Sequence, residues 1–164
     1  MTKLSATYKG LIIAALMIVV SAALFYIFKF PAKHQSQLIV IGIYITGILW
    51  SLYSFRSADG NPVKFKEYFS QGFKTFILVT LLMVIYTALF YKLNPQILDE
   101  VIRQNEIMVA KEGDKTPAEI KANSETVRSI FMPMTISLFT VVYLGLGALT
   151  SLVGGLILSN RQKR

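Results

Sequence analysis

The 164-residue chain has no cysteine, one histidine and only nine acidic residues. Without cysteine there can be no disulfide bond, thiolate metal site or cysteine nucleophile. The single histidine, His34, has no partner nearby at a metal-ligand spacing, so we expect a solvated loop side chain. No histidine stands near a serine as a base for a nucleophile, and no glycine-rich phosphate loop is present. The sequence therefore predicts a protein that is not an enzyme and that carries no cofactor or metal.

Charge is also scarce. Charged residues make up 16% of the chain, whereas a soluble domain has roughly a quarter. Hydrophobic residues reach 54% and the mean hydropathy is +0.54. The longest uncharged run, residues 131–159, extends over 29 positions. Because about 20 apolar residues in a helix cross a bilayer core, this run predicts a membrane span.

Three further apolar runs have span-like lengths. The predicted fold is an all-α integral membrane four-helix bundle forming a single domain over 1–164, with spans at about 10–30, 38–55, 73–93 and 131–159. The first run could be a signal peptide, but signal-peptide cores are only about 7–15 residues long. It also ends in aromatic residues that suit a membrane interface, so we expect an uncleaved first span.

The long polar stretch between spans three and four, about 95–130, predicts an extracytoplasmic helical hairpin. Asn94-Pro95 has the pattern of an N-cap followed by proline at the first helical position. Gly113 is a plausible helix stop. Thr116 and Glu119 have the spacing of a capping box that starts the second helix.

Two boundaries stay open at this stage. Residues 65–72 form either a short amphipathic helix in the headgroups or an early start of span three. Pro133 lies near the predicted start of span four, where it either occupies the first turn or kinks the helix.

Basic residues are distributed unequally between the two predicted sides. The side with both termini has nine basic and two acidic residues, whereas the other side has eight basic and seven acidic ones. The positive-inside rule therefore places both termini in the cytoplasm and the hairpin outside. The net charge of +8 belongs to these span ends, so nucleic acid is not expected as a partner.

Small residues recur every fourth position in the last span. The strip comprises Gly147, Ser151, Gly155 and Ser159. Such a strip lets a second helix backbone approach closely, so these are the predicted helix-packing residues. The neighbour is either another helix of the same bundle, or a second copy of the chain or another membrane protein.

No Asp, Glu, Arg or His lies deep within a predicted span, which disfavours a proton-coupled transporter. Asp99, Glu100 and Glu106 could hold a cation, but the solvated face of an amphipathic helix explains them better. We therefore expect a non-enzymatic accessory or interaction protein. One alternative is a channel or transporter for a small neutral solute, with a path lined by Thr46, Tyr86, Thr140 and Tyr143. A membrane enzyme is a second alternative and requires convergent acids or bases at one interface.

The layout resembles a bacterial family of small membrane proteins known as domain of unknown function family 4199. The residues that carry the resemblance are Asp59-Gly60, Lys64–Gly72, Phe73-Lys74, Tyr91-Lys92, Asn94-Pro95 and Gly154-Gly155-Leu156-Ile157-Leu158. The resemblance implies a four-span protein of the bacterial inner membrane. It implies no activity and assigns no functional residues.

Overall fold

Most of the described part of the protein is helical. A computed structural model describes residues 4–28, 34–55, 63–113 and 115–161, without the side chains of 34–36 and 112. These residues form α1 (Ala6–Tyr26), α2 (His34–Tyr53), α3 (Phe65–Leu93), α4 (Pro95–Glu112) and α5 (Pro117–Arg161). The predicted all-α class is confirmed. The turn at Asp59-Gly60, the His34 side chain and the last basic residues lie outside the described part.

Among the described residues, three helices, not four, are long and apolar enough by length and composition to cross a membrane: α1, α3 and α5. The described apolar part of α2, Gln37–Tyr53, has 17 residues and is shorter. Much of the surface of the three long helices is apolar and faces outward, as at Leu16, Leu81 and Leu156. Helices that are apolar on their outer faces are typical of a lipid environment.

Local signals place several helix ends. Ser5 caps α1, since its hydroxyl accepts a hydrogen bond from the Tyr8 amide at 3.3 Å. Gly113 ends α4 with φ of 76°, a left-handed conformation that glycine adopts at little cost. The capping box of α5 is present: the Thr116 amide donates to Glu119 Oε2 at 2.7 Å, and the Glu119 amide donates to Thr116 Oγ1 at 3.4 Å.

Asn94 occupies the N-cap position of α4, but its side chain does not cap the helix. Its amide Nδ2 instead donates to the Phe90 carbonyl at 2.8 Å. That bond closes the end of α3. The sequence therefore predicts the position of the N-cap correctly, but the Asn94 side chain bonds to α3 and not to α4.

Helix α5 is longer than the sequence patterns predict. It includes the second hairpin helix and the fourth span in one 45-residue helix, with Pro133 inside it. Proline removes one backbone hydrogen bond. A complete break near the membrane would leave several unpaired backbone groups, which is more costly there. Similarly, α3 begins at Phe65 and runs on without interruption, so residues 65–72 form its first turns and not a separate helix.

The chain packs as two compact units. The first contains Met1–Met83 and Thr140–Arg164, and the second contains Val84–Phe139. In the first unit the fully buried side chains include Met17, Tyr44, Ile48, Tyr68 and Val79. They come from α1, α2 and α3, whose inward faces form the core of this unit.

In the second unit, α4 contacts the first part of α5. The hydroxyl of Ser124 donates to Glu106 Oε1 at 2.7 Å, and Arg128 Nη2 lies 2.9 Å from Asp99 Oδ1. Ile102 and Val109 are buried in this unit. One apolar row of α4, a polar contact and an exposed ion pair therefore join the two helices.

Candidate functional site

The four small residues of the predicted strip lie on the inward side of α5 in the first unit. A Cβ added to Gly147 would stand 2.6 Å from Phe76 Cγ and would also meet the Tyr44 hydroxyl. A Cβ added to Gly155 would stand 3.3 Å from Tyr68 Cβ. Ser151 and Ser159 are buried. The strip thus faces α2 and α3 of the same chain at these positions.

Tyr44 fills the space that Gly147 leaves. Its hydroxyl donates a 2.8 Å hydrogen bond to the Tyr143 carbonyl, one helical turn before Gly147. The hydroxyl of Thr80 lies 3.5 Å away, and the Tyr44 and Tyr143 rings meet edge to face with centroids 5.2 Å apart. Three helices therefore converge on one buried tyrosine.

A polar cluster lies in the core of the same unit. Its members are Lys9 of α1, Ser51 of α2, and Gln71 and Thr75 of α3, all of them buried. The Ser51 hydroxyl lies 2.9 Å from Thr75 Oγ1 and accepts from Gln71 Nε2 at 3.3 Å. Thr75 also lies 2.9 Å from the Gln71 carbonyl. Hydrogen bonds among these groups offset the cost of burying them.

Lys9 is the least expected member. Only 3% of it is exposed, and its ammonium donates to the Ser51 carbonyl at 3.2 Å. An ammonium has three N–H donors, and among the described residues Lys9 has no carboxylate partner. The predicted first span starts at about residue 10, which leaves Lys9 in the polar segment before it. Helix α1 begins earlier, at Ala6, and Lys9 is among its buried residues.

A signal for the cluster does exist in the sequence. Gln71 and Thr75 are four residues apart, so they share one helix face with the buried Tyr68 and Val79. Polar residues in line with apolar core positions indicate a buried polar contact. The pairing of this face with Ser51 and Lys9 is not visible in the sequence, because it depends on how the helices pack.

A cavity of about 320 Å³ adjoins the cluster. It is lined by Phe55, Lys66, Glu67, Ser70, Gln71 and Lys74. Gln71 belongs to both the cavity lining and the buried cluster. The other lining residues of α3 are exposed, so the cavity opens to the surrounding medium. We call it the α3 pocket.

The lysines of the α3 pocket have no ion-pair partner in the described part of the chain. The Glu67 carboxylate is engaged elsewhere, since it accepts a 2.8 Å hydrogen bond from the Lys64 amide. It thereby caps the start of α3. Two cations and hydrogen-bonding groups in one cavity can bind an anion.

The candidate acids of α4 do not converge. Asp99 pairs with Arg128, Glu100 with Arg103 at 2.8 Å, and Glu106 with Ser124. Nowhere in the described ranges do three His, Cys, Asp or Glu side chains approach as metal ligands would. The expected solvated face fits these contacts better than a cation site.

Comparison with known proteins identifies a family. The chain matches the sequence model of a family described as "Protein of unknown function (DUF4199)" over residues 8–160. No curated protein and no solved structure matches the chain.

Proposed function

Because this chain belongs to the DUF4199 family, whose function is unknown, we propose a role from its own residues: a non-enzymatic accessory protein of the bacterial inner membrane that binds another membrane protein. The observation that carries the proposal is the filled interior of the first unit around Tyr44. A filled interior favours a binding protein over a channel.

The proposed topology has four spans. The described apolar part of α2, Gln37–Tyr53, is about 26 Å long at 1.5 Å per residue, which is near the lower limit for crossing a bilayer core. With α1, α3 and α5 as the other spans, both termini lie on one side, and the charge distribution makes that side cytoplasmic. Asp99 contacts Arg128, and Glu106 contacts Ser124, so α4 and the first part of α5 are antiparallel. They support an α4–α5 hairpin, and the charge distribution favours the extracytoplasmic side for it.

The channel alternative requires polar groups that line an open path. The Thr46 hydroxyl instead donates to the Gly42 carbonyl of its own helix at 2.6 Å. Tyr143 is buried against Tyr44, and the Tyr86 ring lies beside that of Phe90 at 5.8 Å. These groups are engaged in packing and local hydrogen bonds, as Ser, Thr and Tyr commonly are in membrane helices.

We assign partner binding to the face of α4 that does not contact α5. Val101 and Met108, seven residues apart, are both exposed, and Met108 is exposed to 62%. The buried residues Ile102 and Val109 lie one position further and hold α4 in its own unit. A row of exposed apolar side chains with a methionine is typical of a helix that docks on another protein.

Site-specific photocrosslinking in native membranes tests this function. A photoreactive residue replaces Met108, and the matched control replaces Ala110, which is exposed about 200° around the same helix. We expect a discrete crosslinked product of defined mass at position 108 and none at 110. Recovery of monomer alone from both positions would contradict the proposal. Solute flux through proteoliposomes at a rate above empty vesicles would instead favour the channel.

A further inference from the structure

We infer that the α3 pocket binds a phosphate-bearing anion, supplied most directly by the headgroup of an anionic phospholipid in the cytoplasmic leaflet. The inference does not rest on the partner-binding role, which involves a different helix.

Charge is the first support. Lys66 and Lys74 are two turns apart on one face of α3, and both line the pocket. Neither forms an ion pair among the described residues. The acid in the lining, Glu67, already accepts the Lys64 amide, so its charge is partly used in capping. The pocket is therefore net positive and can bind a phosphate through charge-assisted hydrogen bonds.

The inner wall is the second support. Gln71 lines the pocket with a buried side chain, and Ser51 accepts a hydrogen bond from its Nε2. The ammonium of Lys9 reaches the carbonyl of that same Ser51. A third cation thus lies behind the pocket wall, and Ser51 connects it to Gln71. A buried positive charge is screened less than an exposed one, so it strengthens the field in the pocket.

Aromatic residues point to a lipid as the source of the phosphate. Phe55 forms part of the pocket wall and packs edge to face on Tyr68 at 6.1 Å. Along α3, the rings of Phe65, Phe69 and Phe73 follow one another at 6.1 and 6.2 Å, and Phe73 is exposed. Aromatic side chains concentrate at the level of lipid headgroups. The combination of lysines with aromatic rings suits a molecule with an anionic head and an apolar body.

The size of the cavity is consistent with such a group. Small-molecule pockets have volumes of about 300–1,000 Å³, and this one is near the lower limit. It accommodates a headgroup, and its open side leaves room for the rest of the lipid.

Native mass spectrometry of the full chain tests the inference. The protein is purified from vesicles of equal parts phosphatidylglycerol and phosphatidylcholine, and the lipids that remain bound are counted. The pocket variants are Lys66→Gln/Lys74→Gln and Ser70→Trp, which fills the cavity without changing charge. The matched control is Lys92→Gln/Lys121→Gln, two exposed lysines outside the pocket. Both double variants lower the net charge of +8 by two.

Each lysine near the membrane surface attracts the anionic lipid and so raises the affinity for it. Removing both should therefore weaken phosphatidylglycerol binding roughly 30-fold. We expect that loss in the pocket double variant, a comparable loss in Ser70→Trp, and less than about twofold change in the control. Lys66→Arg/Lys74→Arg should retain binding because it preserves the charge. Lys9→Met should weaken binding by less than the pocket double variant, since Lys9 does not line the cavity.

A second arm identifies the source of the phosphate. Inorganic phosphate is titrated into phospholipid-free detergent micelles and followed by calorimetry. If phosphatidylglycerol stays bound to the wild-type chain and is lost from the pocket variants, the ligand is a lipid headgroup. Phosphate binding that is lost in the pocket variants, without any lipid preference, supports the site with a soluble ligand. Equal effects of the pocket and control variants in both arms, or no effect of either, would overturn the inference.

Discussion

The hydroxyl of Tyr44 on α2 donates a 2.8 Å hydrogen bond to the backbone carbonyl of Tyr143 on α5. The bond forms between residues 99 positions apart in the chain. It is possible because Gly147, one turn further along α5, has no side chain to exclude the Tyr44 hydroxyl. This contact fixes how α5 packs on α2 in the first unit.

Removal of that hydroxyl should destabilise the protein modestly. Tyr44→Phe keeps the ring and loses the hydrogen bond, and interhelical hydrogen bonds in membrane proteins contribute about 0.6 kcal/mol on average and at most about 1.7 kcal/mol. Titration of the folded protein with SDS measures the change. Tyr53→Phe serves as control, because that side chain is exposed. Equal stability of the two variants would show that the Tyr44 bond contributes nothing.

Gly147→Ala should have a larger effect. The new methyl group would stand 2.6 Å from Phe76 Cγ and against the Tyr44 hydroxyl. Overpacking of this kind typically costs about 1–3 kcal/mol. Gly145→Ala is the matched control on the same helix, since nothing lies within 4 Å of its added Cβ. Alanine also has the higher helix propensity, so Gly145→Ala should be neutral or stabilising. The difference between the two variants in thermal unfolding isolates the steric effect.

The two buried serines should respond in opposite ways to alanine. Ser51→Ala leaves Gln71 Nε2 without the hydroxyl to which it donates, and an unsatisfied buried group costs about 1–3 kcal/mol. The Ser151 hydroxyl is fully buried without a hydrogen-bond partner in the described part of the chain, and it lies close to Gly72. Ser151→Ala should therefore leave stability unchanged or raise it. Destabilisation of both variants to the same degree in SDS titration would contradict this assignment.

The start of α5 should lose stability in acid. Hydrogen bonds from the backbone and hydroxyl of Thr116 lower the pKa of Glu119 from its ordinary value of 4.5. A carboxylate with a lowered pKa stabilises the folded state fully above the unfolded pKa, and that contribution is lost as pH falls through the folded pKa. The loss should thus occur below pH 4.5.

Hydrogen exchange of the amides in the first turn of α5 measures this loss. Protection should fall in acid for the wild-type chain and for Glu125→Gln, an exposed control. In Glu119→Gln these amides should be less protected at neutral pH than in the wild-type chain. Their protection should then change little as the pH falls. An unchanged pH profile in Glu119→Gln would assign the effect to another group.

Local sequence chemistry predicted much of the helical structure. The capping box at Thr116 and Glu119 and the left-handed Gly113 were both identified correctly, because such signals act within a few residues of one another. The continuity of α5 through Pro133 was not predicted. A proline pattern signals a lost hydrogen bond, and whether the helix ends there depends on the surroundings.

In the candidate site, too, the sequence predicted some features and missed others. Apolar runs and small residues four apart indicated membrane helices and close packing, and the +8 charge indicated basic span ends. They could not show that Lys9 turns inward to the Ser51 carbonyl, or that Lys66 and Lys74 share a cavity with Phe55. Composition and periodicity fix which segments form helices, because those preferences are local. Only tertiary packing decides which faces meet, because the partner of each face is a distant part of the chain.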